Sequence, residues 1–216
     1  MEKTSQNLFD FDKTYNKIVI GTDEAGRGPG AGGVFAAAVH FDKITDGLIA
    51  DLAILNDSKK LTAKKRDSIF DLIKNSTVNE IICIEVEEIE KINILNASLK
   101  AMNLACTSVI NKIGAENILT LVDGNKLIRN YNYPQEFVIK GDAKSASIAA
   151  ASILAKVSRD RYMEQLHEEF PKYNWKKNAG YLTAEHLKAI DEFGTCKYHR
   201  ESFLKKHFEK QLTLEL

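Results

Sequence analysis

Two apolar runs of strand length, Lys17–Thr22 and Val34–Phe41, flank the small-residue string Gly26-Arg27-Gly28-Pro29-Gly30-Ala31-Gly32-Gly33. Such runs joined by a glycine-rich turn predict a β-hairpin. The first strand leads directly into two adjacent carboxylates, Asp23 and Glu24. Paired acids at a strand end suit a hard divalent cation, and a glycine turn lets backbone N–H groups approach a ligand closely. Successive strand residues face opposite sides of a sheet. Asp23 and Glu24 can therefore serve one ion only if the strand breaks there, and the glycine turn offers a break.

Further along, Thr62 reads as the N-cap of a helix running to about Lys74, and Glu80–Val86 as a buried strand. Asn96–Ile113 is helical, with Leu99, Met102, Leu104, Cys106, Val109 and Ile110 as core positions and Gly114 as its stop. The strand Asn117–Val122 delivers Asp123, and the short strand Phe137–Ile139 delivers Asp142. A long helix from about Lys144 to Glu169 follows, and Pro171 ends it. Its alanine- and serine-rich first half suits close packing on a sheet. Beyond it lie a basic, aromatic loop (Lys172, Tyr173, Trp175, Lys176, Lys177, Tyr181) and two short helices near 183–193 and 199–210. Strands interleaved with helices after a hairpin predict an α/β domain with a mixed sheet. Residues 1–16 read as a loose tail, 17–170 as the main α/β domain and 171–216 as a helical extension.

The chain of 216 residues has 30 basic and 30 acidic side chains, so no global charge marks a nucleic-acid binder. A local basic groove is sufficient for that role. Cys83, Cys106 and Cys196 are far apart and form no CxxC or Cys/His cluster, which predicts free thiols rather than a zinc site or disulfide framework. The polar start is unlike an export signal and no apolar run reaches the ~20 residues of a membrane span, so a cytoplasmic protein is expected.

Asp23, Glu24, Asp123 and Asp142 share one topological position, at a strand end or the start of the next helix. Four convergent carboxylates repel one another unless cations neutralise them. Two Mg2+ or Mn2+ ions about 4 Å apart would satisfy them and clamp a phosphoryl displacement.

The ordered motifs Asp23-Glu24-Ala25-Gly26-Arg27-Gly28-Pro29, Asp57-Ser58-Lys59-Lys60-Leu61, Val122-Asp123-Gly124, Lys140-Gly141-Asp142-Ala143-Lys144-Ser145, Gly180-Tyr181 and His199-Arg200-Glu201-Ser202-Phe203 resemble those of ribonuclease HII, the type 2 ribonuclease H family. The resemblance extends through Ile148–Asp160 and spans about residues 17 to 205. It implies a ribonuclease H-like fold, with a mixed central sheet flanked by helices and a small helical C-terminal extension. The implied activity is metal-dependent hydrolysis of RNA in RNA/DNA hybrids and of single ribonucleotides in duplex DNA, leaving 3′-OH and 5′-phosphate ends. Asp23, Glu24, Asp123 and Asp142 match the family's metal-site acids. Gly26-Arg27-Gly28 matches the turn whose backbone senses the ribose 2′-OH. Tyr181 matches a tyrosine stacking beside the scissile junction, and Lys59 a phosphate-contacting lysine. The 2′-OH is the group that separates RNA from DNA at a site. Where the family commonly has His-Lys before Gly-Tyr, this chain has Asn178-Ala179, and Lys176 and Lys177 are candidates to supply the missing charge.

Other readings compete. The related ribonuclease HIII is the nearest, although that family usually carries an added N-terminal domain. Gly28–Gly33 also fits G-x-G-x-x-G, which would suit a dinucleotide-dependent oxidoreductase, but that fingerprint needs a helix at the glycines. A catalytically silent hybrid-binding module is a third. Gln211-Leu212-Thr213-Leu214-Glu215-Leu216 resembles the peptide by which bacterial proteins dock on the sliding clamp. Arg159, Asp160 and Arg161 read as a solvated or structural ion-pair face, and His40, His167 and His199 as structural residues.

Overall fold

A computed structural model of the chain describes residues 5–53, 55 and 63–214. Its described strands form one sheet: β1 (Ile18–Ala25), β2 (Val34–His40), β3 (Val78–Ile84), β4 (Ile118–Asp123) and β5 (Gln135–Val138). The spatial order is β3-β2-β1-β4-β5. β2 is antiparallel to both β1 and β3, while β4 is parallel to β1 and to β5. The sheet is therefore mixed, and the hairpin expected around the glycine connector is present.

Two long helices cover its faces, α5 (Ile94–Ile113) and α6 (Ala146–Glu169). Both have clear local signals. The Asn93 side chain caps α5 by accepting from the Asn96 N–H, and Gly114 ends it with φ of 64°. The Ser145 hydroxyl caps α6 by accepting from the Ile148 N–H, and the helix stops at Phe170, just before Pro171. Alternation in the strands divides the core. Ile20, Ala36 and Ala38 pack with Leu99, Met102 and Val109 of α5, whereas Ala37 and Val39 pack with the alanines of α6. A Cβ added at Gly21 would lie 2.2 Å from the backbone of Ser147 and Ile148. The α6 backbone thus rests directly on β1, and its run of small residues permits this approach.

The remaining helices are α1 (Ser5–Lys13), α2 (Asp46–Asp51), α3 (Ala63–Ser76), α4 (Val86–Ile92), α7 (Trp175–Asn178), α8 (Ala184–Phe193) and α9 (Glu201–Leu214). Four differences from the sequence reading stand out. The expected N-terminal tail contains α1, whose Leu8 and Phe9 are buried and whose Asp12 accepts hydrogen bonds from the Ser147 N–H and hydroxyl. β3 is half-buried rather than buried, because it pairs with β2 alone at the sheet edge, and Val86 starts α4 instead of extending the strand. Leu104 is 44% exposed, on the outer face of α5. α9 runs on to Leu214, past the expected helix end near 210.

The C-terminal helices pack against the second half of α6 and the glycine connector, through Ala31, Met163, Tyr173, Trp175, Ile190 and Leu204. Among the described residues no helix is long and apolar enough to cross a membrane.

Candidate active site

The parallel pairing of β1 with β4 puts Thr22 beside Val122, so the next residues, Asp23 and Asp123, come to the same end of neighbouring strands. Asp23 is 6% exposed and lies on the α6 side. It accepts a hydrogen bond from the Ser152 hydroxyl, which in turn accepts from Lys156 Nζ at 2.6 Å. Burial, then the charges of Glu24 and Asp123, pushes the Asp23 carboxyl up to about 7. Glu24 reaches a groove of about 150 Å³ on the α5 side, shared with Arg27, Met102, Asp123 and Lys126. Burial raises its carboxyl too, opposed by Arg27, whose guanidinium lies 3.1 Å from Glu24 Oε1.

The strand does not break at the acids. β1 keeps its register with β2 through Glu24↔Ala36 and Ala25↔Phe35. The expected interruption is thus corrected: the two carboxylates leave an intact strand on opposite faces. They approach a common region because Glu24 is the penultimate strand residue and Asp123 adjoins both.

Asp142 is buried in a single 3-10 turn, Gly141–Ala143, between β5 and α6. Lys140 enters that turn with φ of 56°. The Gly141 N–H donates to Asp123 Oδ1 at 2.6 Å, which ties the segment carrying Asp142 to Asp123. All four predicted acids are therefore brought to one end of the sheet. Among the described residues, however, no three acidic, histidine or cysteine side chains form a ready-made chelating cluster. Glu24 is turned to Arg27, and Asp123 to a backbone N–H.

Gly26 has φ of 101°, and a Cβ there would lie 2.3 Å from Arg159 Nε, so any side chain at this turn is strained and displaces Arg159. A Cβ at Gly28 would lie 3.3 Å from Tyr181 Cε1, placing the half-exposed tyrosine ring directly against the turn. Gly26, Arg27, Gly28 and Tyr181 thus share one surface next to Glu24. Lys59 lies outside the described residues.

The connector is held from behind by residues far along the chain. The Gly30 N–H donates to the Gly180 carbonyl, the Gly32 N–H to Tyr198 and the Arg200 N–H to Gly30. The fully buried Arg200 guanidinium donates to the carbonyls of Pro29 (2.8 Å), Gly32 (2.7 and 2.9 Å) and Gly33 (3.1 Å). Burial, then the like charge of Arg159, lowers Arg200 to about 10, so it stays cationic at neutral pH. Arg159 donates to the carbonyls of Ala31 and Ala179. It is therefore buried rather than part of a solvated face, although its neighbours Asp160 and Arg161 do pair with Arg66 and Asp67.

Ser152, Lys156, Arg159 and Arg200 went unrecognised as site residues in the sequence. A lysine four residues after a serine within an alanine-rich helix was the available signal for the first pair. Arg200 had no local signal beyond its place in a matched motif.

Asn178 accepts from the Gly180 N–H and donates to the Tyr173 carbonyl, while Ala179 adopts φ of 47°. Lys176 and Lys177 are exposed, the latter 3.5 Å from Glu185. His199 is buried among Tyr173, Trp175 and His186, and His40 bonds the Val19 carbonyl. The glycines lead into strand β2 and not into a helix, which removes the structural basis of a dinucleotide fingerprint.

The chain matches the Ribonuclease HII family over residues 20–211. It is 49% identical over 187 residues to a ribonuclease HII of Pelagibacter ubique, covering 87% of this chain and 96% of that protein. Among solved structures it resembles a chain of the PCNA:RNase HII complex from Archaeoglobus fulgidus, with TM-score 0.67 and 24% identity over 85% of this chain and 93% of that one. It also resembles Bst-RNase HIII in complex with Mn2+, with TM-score 0.65 and 19% identity over 88% of this chain and 65% of that one. The family match across almost the whole length, together with the close relative, shows that this chain belongs to the ribonuclease HII family and is a ribonuclease H nuclease.

Proposed function

We propose that the protein hydrolyses the RNA strand of RNA/DNA hybrids and cuts at single ribonucleotides embedded in duplex DNA, leaving 3′-OH and 5′-phosphate ends. The observation that carries this reading is the adjacency of two features: the acids at the ends of β1 and β4, and the exposed wall formed by Gly28 and Tyr181. The first suits phosphodiester chemistry and the second suits a sugar carrying a 2′-OH. Asp23, Glu24 and Gly28 belong to one short segment, so the turn proposed to read the ribose and the acids proposed to work on the phosphate keep a fixed spacing.

Asp23, Glu24, Asp123 and Asp142 are the residues that would hold divalent cations. The donor set fits: all are hard oxygen ligands, and Asp23, raised by burial and then by repulsion from Glu24 and Asp123, is the kind of carboxyl a cation ionises. Bound Mg2+ or Mn2+ would supply an activated water and neutralise charge at the leaving 3′-oxygen. The chain's own residues prepare for this. The Ser152 hydroxyl and the Lys156 charge favour the ionised form of Asp23. Arg27 balances Glu24 and becomes available to a phosphate when Glu24 exchanges partners. The Gly26-Arg27-Gly28 backbone offers groups to the 2′-OH, and Tyr181 packs on the neighbouring sugar. We assign residues 171–216 to substrate recognition and 17–170 to catalysis.

One incubation tests the reading. A duplex with a single ribonucleotide, in Mg2+ or Mn2+, is expected to be cut on the 5′ side of that residue. Asp23→Asn and Asp123→Asn are each expected to lose roughly three orders of magnitude or more in rate. An uncut duplex, or variants as active as the parent, overturns it.

We also propose a clamp partner for this chain, docked through residues 211–216, in keeping with the PCNA complex formed by the Archaeoglobus protein. Because Gln211–Leu214 are helical, docking as an extended peptide would unwind the end of α9. Deleting 211–216 is expected to abolish clamp pull-down and leave cleavage of a short oligonucleotide unchanged. A retained pull-down removes the proposal.

A further inference from the structure

We infer that Arg200 is a positioning residue for ribose recognition: from the C-terminal module it sets the orientation of the glycine turn that meets the 2′-OH. The inference rests on the proposed ribose-reading role of that turn and names what holds it in register.

Arg200 lies at the entrance to α9 and is completely buried. Its guanidinium points at the inner side of the connector, with donors directed at the carbonyls of Pro29, Gly32 and Gly33 and, at 3.5 Å, of Arg27. No other side chain in the described structure gathers as many backbone carbonyls. Its charge is met by these peptide dipoles, since none of its hydrogen bonds is to a carboxylate.

This arrangement fixes peptide planes. In a trans peptide the carbonyl oxygen and the following N–H point in opposite directions. Drawing the Arg27 carbonyl toward Arg200 therefore turns the Gly28 N–H away from the buried guanidinium, at the residue against which Tyr181 packs. The Pro29 peptide shows the same logic with an observed partner. Its carbonyl accepts from Arg200, and the Gly30 N–H on the opposite side donates to the Gly180 carbonyl. Gly180 directly precedes Tyr181, so the buried cation fixes one wall of the proposed sugar pocket directly and is linked to the other through the Pro29–Gly30 peptide.

A glycine-rich loop without this anchor has many accessible backbone states. The planar fork of arginine can address several carbonyls at once, whereas a lysine ammonium is a single point donor. The carboxylates gain nothing directly from Arg200. Asp23 is held by Ser152 and Lys156, and Asp123 by the Gly141 N–H. Loss of Arg200 should therefore weaken ribose discrimination and leave cation binding intact.

The test compares the parent, Arg200→Lys and Arg200→Met. Binding of a duplex with one ribonucleotide and of its all-deoxy counterpart is measured in Ca2+, and Mn2+ affinity is measured by calorimetry without nucleic acid. Arg200→Met is expected to lose about tenfold or more in the ribo-to-deoxy affinity ratio. Arg200→Lys should recover part of it, with Mn2+ affinity within about twofold of the parent. A folded Arg200→Met that keeps the parent's ratio overturns the inference, as does loss of Mn2+ affinity in step with the ratio. If both variants fail to fold, the guanidinium N–H resonance of Arg200 in 15N-labelled parent protein decides. It is expected to shift on adding the ribonucleotide duplex and to stay in place with the all-deoxy duplex; equal behaviour with both overturns the inference. Absence of any ribo-to-deoxy preference in the parent would instead refute the proposed ribose-reading role itself.

Discussion

Asp23 and Glu24 are consecutive residues that leave an unbroken β1 on opposite faces, Asp23 toward Ser152 of α6 and Glu24 toward the groove beside Met102 of α5. Asp123, on the neighbouring parallel strand, adds its charge to both. The carboxylate cluster is thus built around the end of the sheet rather than on one side of it.

That arrangement costs stability in the absence of cations. Burial and the neighbouring charges keep the Asp23 carboxyl protonated to about pH 7 in the folded protein, whereas an unfolded chain releases the proton near its ordinary value of 3.8. The folded state therefore binds more protons through this window, and stability falls as pH rises from about 4 to 7. Asp23→Asn removes the cost. In EDTA at pH 8 the variant is expected to be more stable than the parent by about 1–4 kcal/mol, with little difference at pH 3.5. Thermal melts at the two pH values check this, and cleavage by the variant should be absent.

Gly21 sits under the backbone of α6, where a Cβ would come within 2.2 Å of Ile148 N. Neither element can yield, because β1 is central in the sheet and α6 is the longest helix described. Gly21→Ala is expected to destabilise the fold by about 3 kcal/mol or more. Urea unfolding monitored by the lone Trp175, itself buried, provides the measurement.

The buried His186–His199 pair predicts an acid-labile C-terminal module. The Trp175 indole N–H donates to His186 Nε2, and the Cys196 N–H to His199 Nδ1, so both rings are needed neutral. Burial, then the charge of His186, lowers His199 to about 4, and burial lowers His186 as well. Protons bind the unfolded chain first, so this stability is complete above about pH 6.5 and is lost as pH falls toward 4. The His199 contribution is on the order of 3 kcal/mol. The parent should lose stability relative to His199→Gln between pH 7 and 4.5, and parallel curves for the two proteins would contradict it.

Lys176 and Lys177 stand beside Asn178-Ala179 and face solvent. Replacing both with alanine is expected to raise KM severalfold, leave kcat nearly unchanged and reduce the slope of log KM against log salt by about 1–2. Steady-state kinetics between low and moderate salt provide the check. An unchanged KM and slope would show that neither lysine meets a phosphate.

The strands, the helix stop at Gly114, and the placement of Asp123 at the end of β4 were legible from the residues alone. Each depends on groups a few positions apart, where backbone geometry and side-chain chemistry act locally. The N-terminal helix escaped notice because Leu8 and Phe9 offer too short an apolar pattern, and they become buried only where α2, α6 and Phe41 meet them. Leu104 misled for the converse reason: helical spacing shows that a residue is apolar, but not which side of the helix the sheet will cover.

The chain's own letters, with the family resemblance they carry, were enough to nominate the acids, the glycine turn and Tyr181 for the proposed phosphodiester site. How those parts are held was settled by packing across long stretches of chain. Asp23 leans on Ser152 and Lys156 only because α6 lies on β1, and the turn is gripped by Arg200 from more than 160 residues away. Such contacts follow from the global arrangement of layers, in which burial of one apolar face brings distant polar groups together, and no short-range pattern carries that information.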